Sequence, residues 1–383
     1  MRPVADPTAV PPDFDFEAFA RDLHELRAEI DAALGPDDLA HLKKLERWGR
    51  LATTVGWATS WLGPNPVSIL GLAWGRGTRW ILMHHIGHRG YDRVPEVPPR
   101  YTSKVFARGR RRFLDWADWM LPDAWIYEHN VLHHSHTGQD ADPDLVERNV
   151  AWLRKLPRPA RWAFFAISAA AWKPAYYAPN TLDEYLHRGG AKPSRSEHWR
   201  TLITQCWLPY GAASFVLVPL LFSPLGPLAV ASAVTNSVAA EVATNIHSFC
   251  VIVPNHAGDD VYRFSDRPRN KADHLLRQVL GSVNFRVSSE SGGLFGSRYG
   301  KDLLDMAHLW LNYQVEHHVF PDLPMLKYQQ FQPAFRAICE RHGVPYVQGS
   351  VWERVGKLAR NFVGDTEMKR YQPTASGRAQ AAE

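Results

Sequence analysis

"TLITQCWLPYGAASFVLVPLLFSPLGPLAVASAVTNSVAA", residues 201–240, contains no Asp, Glu, Lys or Arg. One bilayer crossing needs about 20 apolar residues, so this stretch is long enough for two. "SPLGP" at 223–227 breaks it in the middle. The pattern predicts a helical hairpin, out over roughly 203–222 and back over roughly 227–250. A second hairpin is expected upstream. Residues 51–75 are uncharged and divided by "GPNP" at 63–66, and the returning arm then meets Arg76 and Arg79. An arginine facing lipid in mid-span costs roughly 2.5–3.5 kcal/mol. These two must snorkel, face the protein interior or lie near the boundary.

Charge distribution sets the orientation independently of hydropathy. Neither turn carries Lys or Arg, whereas 18 fall between His84 and Arg200 and 17 after Glu241. By the positive-inside rule the long segments and both termini are cytoplasmic, and the two turns are outside. The chain has 15 Trp, 13 Tyr and 17 Phe, rings suited to a boundary that is dry on one side and wet on the other. A net charge of +5 fits an anionic bilayer face, an acidic partner or nucleic acid. Cys206, Cys250 and Cys339 are far apart and form no CxxC, so they build no iron–sulfur or rubredoxin-type site among themselves. No cleaved targeting segment is read in the N-terminus.

The polar segments carry further helices. "DFEAFARDLHELRAEIDAAL" has helical periodicity, and another helix is expected from about Pro36 to Arg50. Residues 161–179, "RWAFFAISAAAWKPAYYAP", read as a helix lying in the membrane interface, with a buried core helix as the alternative. The chain is expected to be loose up to about Pro12, and its final residues, "TASGRAQAAE", to be disordered.

Three His-His pairs occur in distinctive settings. "HHIGH" places His84 and His88 four apart; "HNVLHH" holds His129, His133 and His134; "QVEHH" holds Gln314, His317 and His318. On a helix each spacing gathers imidazoles on roughly one face. Asp123 is a plausible cap and Gly138 a plausible stop for the second cluster, and Pro321 should end the third helix. All three clusters can then meet at the cytoplasmic mouth of a four-helix bundle. That much buried imidazole needs partners. Seven histidines exceed what one tetrahedral zinc takes, imidazole suits iron, and a pair of metals is the natural reading. No HExxH is present, which argues against a zincin-type protease.

These boxes resemble those of membrane fatty acid desaturases and related His-rich di-iron hydroxylases. "NYQVEHHVFPDLP" is similar to the third box of front-end and acyl-lipid desaturases, "HHIGH" resembles HDxGH with His85 in place of Asp, and "DPD" follows the second box as it does there. The second box departs, with three residues between its first histidine and the pair, as in membrane alkane hydroxylases. "HRGG" at 187–190 lacks the proline of the cytochrome b5 haem motif.

The resemblance implies two irons held by His84, His88, His129, His133, His134, His317 and His318, with O2 as co-substrate. A further ligand is expected at the end of the last membrane helix. His247 in "TNIHSF" is the candidate and His256 in "VPNHAGDD" its competitor. Gln314, His85 and His136 are expected to take part in catalysis beside the metals. The substrate would be a fatty acyl lipid or acyl thioester, desaturated with electrons from an external ferredoxin, rubredoxin or cytochrome b5 type donor. "RGRRR" at 108–112 is a candidate dock for that donor or for lipid headgroups. A lipid or hydrocarbon hydroxylase of the same superfamily, and a non-oxidative membrane metal or haem protein, remain as alternatives. Nucleic acid is not expected as a partner. The expected fold is all-α and integral to the membrane, with four transmembrane helices as two hairpins under a cytoplasmic helical cap carrying the boxes. Residues 1–50 would be an N-terminal cytoplasmic helical segment, 51–346 the desaturase-like membrane domain and 347–383 a cytoplasmic tail.

Overall fold

A computed structural model describes residues 10, 11, 13–286 and 297–371. The loose N-terminus and "TASGRAQAAE" lie outside the described residues, apart from residues 10 and 11. The molecule is mostly helical (71%). Helix α1 (Phe16–Ala32) starts on the Asp15 carboxylate, which accepts from the Glu17 and Ala18 amides. Helix α2 (Pro36–Thr59) has Pro at its first turn and Asp38 bonded back to the Gly35 amide. It runs on through Arg50 without a break, so the expected helix from Pro36 and the expected span from 51 are one element.

Helix α3 (Pro66–Gly87) returns antiparallel after a turn capped by Asn65. Small residues line the contact between the two. A Cβ on Gly71 would come within 2.7 Å of the Ala52 carbonyl, and one on Gly56 within 2.8 Å of the Leu72 amide, so the backbones meet closely. The helix carrying the second histidine box, α4, is built from Pro122–Trp125, Ile126–His133 and His134–His136 in succession. Pro122 occupies its first turn. Asp123 makes no cap bond but pairs with Arg108, which corrects the expected capping role. Helix α5 runs through Arg158–Trp172, Lys173–Tyr177 and Ala178–His187, with non-helical torsions at Ala171.

Among the described residues, two helices are long and apolar enough to cross a membrane: α6 (Arg195–Leu220) and α7 (Pro227–His256). They form the predicted hairpin about Gly226, whose φ of +98° suits glycine. Helix α7 lies against α3. The Asn236 amide donates to the carbonyls of Ser60 (2.9 Å) and Gly63 (2.8 Å), and its oxygen accepts from the Asn65 amide (2.9 Å). Arg76 faces the interior, bonding the Ser237 carbonyl at 2.8 Å and pairing with Glu241 at 3.3 Å.

The longer helices that follow are α8 (Lys271–Leu280), α9 (Arg298–Ala307), α10 (Gln314–Val319), α11 (Met325–Arg341) and α12 (Val351–Val363). Helix α10 stops at Val319, just before Pro321. Two parallel clasps of two residues each, Tyr262–Arg263 with Lys369–Arg370 and Asn284–Phe285 with Gln348–Gly349, tie late segments down. The segment set apart as a tail thus begins with an ordered helix, whose Phe362 packs on Phe165 of α5 with centroids 5.2 Å apart.

Candidate metal centre and adjoining cavity

The last turns of α3 deliver His84 and His88, and α10 delivers His317 and His318. The second box needs a different winding. From Ile126 to His133 the backbone is a π-helix, and the His134 amide reaches back to the His129 carbonyl five residues earlier. A wider turn absorbs the residue that separates "HNVLHH" from an HxxHH spacing. It sends His129 and His133 to two different places.

One group is His84, His88, His129 and His317, and a second is His133, His256 and His318; within each, ligand atoms lie within 4.8 Å of one another. The His134 ring sits between them, 4.5 Å from His88 and stacked on His318 at 4.3 Å by centroid. A third grouping joins His129, His133 and Asp144. All seven box histidines are buried.

Their outer nitrogens are occupied in a regular way. Nδ1 of His133 lies 2.8 Å from Asp142, that of His256 3.1 Å from the Gly281 carbonyl and that of His318 3.0 Å from the Gln278 carbonyl oxygen. Tyr328 donates its hydroxyl to the Phe320 carbonyl and so accepts from His317 Nδ1 at 3.2 Å. Each such bond places the proton on Nδ1 and leaves the Nε2 lone pair facing inward, the arrangement that orients a ligating imidazole. Both ring nitrogens of His129 and His134, Nε2 of His88 and His318, and Nδ1 of His84 are buried without a hydrogen-bond partner, as is Gln314 Oε1. Buried polar atoms are seldom left unpaired. Orphaned nitrogens converging on two points fit a pair of imidazole-loving metals such as iron.

Electrostatics agrees. Burial, reinforced by neighbouring imidazoles, holds His129, His134, His317 and His318 well below the ordinary histidine range, so these rings are neutral. Burial also opposes a charge on His133, but the Asp142 and Asp144 carboxylates outweigh it and raise its pKa. Burial, with Asp144 nearby, pushes Glu128 well above the carboxylate range, and burial lifts Asp144 to about 6.

Sequence expectations fare unevenly here. His247 belongs to neither group: its Nε2 bonds the Ala307 carbonyl at 2.7 Å. His256, the competitor, takes the place beside His133 and His318. His85 is buried near Tyr328 and His317 but outside both groups. His136 is half-buried, with Nδ1 on the Leu132 carbonyl. Gln314 does reach the site, with its amide nitrogen 2.9 Å from His256 Nε2. Asp142, Gln278 and Tyr328 were not anticipated as orienting groups; "DPD" was the one available signal.

A cavity of about 330 Å³ opens from His84, His129, His133, His256 and Gln314. Its walls come from α5, α7 and α12, with Trp172, Phe249 and Phe362 among them, and no Lys or Arg lines it among the described residues.

The fatty acid desaturase family model matches residues 59–350, which is more than half of the sequence and includes all three boxes. The chain belongs to the fatty acid desaturase family. Proteins of this family are oxidoreductases. Among similar proteins, a Mycobacterium tuberculosis NADPH-dependent stearoyl-CoA 9-desaturase is 25% identical over 367 residues, covering 91% of this chain and 78% of that protein. A chloroplastic acyl-lipid (7-3)-desaturase of Chlamydomonas reinhardtii is 25% identical over 62% of the chain and 45% of its own length. An acyl-lipid (8-3)-desaturase of Mortierella alpina is 22% identical over 60% of the chain and 50% of its own length. In this desaturase the apolar cavity and the two histidine groups share a wall.

Proposed function

We propose that the chain is an O2-dependent di-iron desaturase that introduces a double bond into a fatty acyl chain. The observation that carries this reading is an apolar cavity ending on buried imidazole nitrogens that have no hydrogen-bond partner. His84, His88, His129 and His317 would hold one iron, and His133, His256 and His318 the other, with His134 between them and Gln314 alongside. Two irons with O2 and two electrons supply the oxidant needed to remove hydrogen from an unactivated CH2. The protein's own part is positional. Burial of the acyl chain contributes about 0.8 kcal/mol per CH2, and the aromatic walls exclude water from the reacting carbons. Asp142, Tyr328 and Gln278 fix the rings they touch, so the carbons meet a pre-set geometry.

The same proposal places α2, α3, α6 and α7 across a bilayer, with the cap, the site and both termini on the cytoplasmic side. The apolar 201–240 stretch and the charge-free turns support it. An external donor would deliver electrons there. The names of the relatives point to an acyl-CoA or an acyl lipid as substrate.

One comparison tests the reading: the fatty acid profile of a host with and without the chain, by gas chromatography and mass spectrometry. A new monounsaturated product is expected. A hydroxylated product with no alkene would instead establish the hydroxylase reading that the wide second box leaves open.

A further inference from the structure

Where α2, α3 and the 106–115 segment meet, a second cavity of about 310 Å³ has a different character. Its lining mixes apolar groups with Glu46, Arg50, Thr53, Thr54, Thr78 and Asp115, and Arg79 contributes a guanidinium that makes no hydrogen bond or ion pair with the described residues; its Nε is buried and unpartnered. Every carboxylate near it is already engaged. Glu46 is held by Arg50, Arg100 and the Tyr101 hydroxyl. Asp115 receives a two-pronged bond from Arg111, both contacts at 2.9 Å. Behind the cavity, Glu241 pairs with Arg76 and Asp118 with Lys173. Five cations already meet these four carboxylates without Arg79, which adds a further, half-buried positive charge facing the cavity. Such a charge is costly unless an anion meets it.

The position says which kind of anion. Gly49 of α2 packs on Thr78 of α3, so Arg79 stands level with Arg50, where the uncharged part of α2 begins. That is the cytoplasmic boundary of the proposed membrane span. Leu114 in its lining is 76% exposed, and Leu51 and Phe113, next in sequence to the lining residues Arg50 and Leu114, are 64% and 54% exposed. Thr54, also on the cavity wall and exposed, offers a hydroxyl. A guanidinium and a hydroxyl beside exposed apolar groups suit a phosphate that carries acyl chains.

We propose that this cavity binds the phosphate of an anionic membrane phospholipid through Arg79, at a site separate from the acyl cavity. The inference rests on the membrane placement proposed above.

The test uses the whole chain extracted in dodecyl maltoside and stripped of lipid. Its Tm is followed as phosphatidylglycerol, phosphatidylcholine or inorganic phosphate is added. Phosphatidylglycerol should raise Tm by about 3 °C or more, and the other two by less than a third of that. In Arg79→Gln the phosphatidylglycerol shift should vanish, while the stripped variant is no less stable than the parent, because an uncompensated charge has been removed. Thr54→Trp, which fills the mouth from an exposed position, should also abolish the shift. Equal shifts with phosphatidylcholine would overturn recognition of charge, and equal shifts with inorganic phosphate would overturn the lipid. A shift retained in both variants would overturn the site, and an Arg79→Gln chain that cannot fold would show that Arg79 has a structural partner after all. A chain recovered in soluble form without detergent would overturn the membrane placement itself. Absence of the shift in a detergent-requiring chain would overturn only the lipid site.

Discussion

Nε2 of His84 and Nε2 of His317, 233 positions apart in sequence, lie 2.9 Å from each other inside the protein. His317 spends its Nδ1 proton on Tyr328, so its Nε2 presents a lone pair. Two lone pairs this close repel unless a proton or a metal lies between or beside them. His84→Ala and His317→Ala should each abolish product formation and lower bound iron by at least half, with the helical circular dichroism of the parent retained. Full activity and full iron in either variant would refute the shared site.

His256 and His247 make opposing predictions. His256→Ala should remove activity and iron from the group it forms with His133 and His318. His247→Ala should keep most of the activity, since its ring faces a backbone carbonyl instead. Parallel turnover and metal analysis of the two variants decide the point; inactivity of His247→Ala alone would restore the original expectation.

Asp142 orients His133 at 2.8 Å and also accepts from the Gly138 amide at 2.9 Å. Outer partners of ligating histidines typically contribute 10–100-fold to metal affinity or activity. Asp142→Asn should lower turnover by about that factor, with substrate KM nearly unchanged, because the apolar cavity does not include this side chain. A rise in KM at constant kcat would place Asp142 in binding instead.

Stability should carry a signature from the Arg354–Asp260 pair at 2.7 Å, whose arginine is fully buried. Burial alone would raise the Asp260 pKa, but bonds from Arg354 and then Lys357 hold it below the ordinary carboxylate value. A depressed folded-state pKa contributes stability above the unfolded value near 3.8, and that contribution is lost as pH falls through the folded one. Asp260→Asn should therefore cost about 3 kcal/mol at pH 7, and progressively less below about pH 4. Denaturant titrations at both pH values check this; a cost independent of pH would assign the loss to packing.

Much of this was legible in the sequence because its signals are local. The 201–240 stretch and its Pro/Gly break gave the α6–α7 hairpin, and histidine spacing gave six of the seven residues found in the two groups. His256 was harder. It sits in the short, tighter-wound turn Val253–His256 that ends α7, with no neighbouring histidine to set a period. His247 lay within a strong helical pattern, but nine residues is two and a half turns, so the two rings leave the helix on nearly opposite sides. The π-winding of α4 had a trace in the odd second box, although spacing alone could not say whether the helix widened or one histidine was lost. The partners of Arg76 lie more than 130 residues away, and nothing local announces them.

Asn236 also bears on how the chain comes to be built. Three backbone groups in the bend after α2, the carbonyls of Ser60 and Gly63 and the amide of Asn65, find their partner on a side chain made 171 residues later. At roughly 5–20 residues per second of synthesis, the bend waits about 9–34 s for that amide. Through the interval the Gly63 carbonyl can still accept from the Asn65 side chain at 2.9 Å, but the Ser60 carbonyl and the Asn65 amide must turn to solvent, lipid headgroups or an assisting protein. The early hairpin is therefore a provisional structure during translation, and the last long helix is the part that closes it.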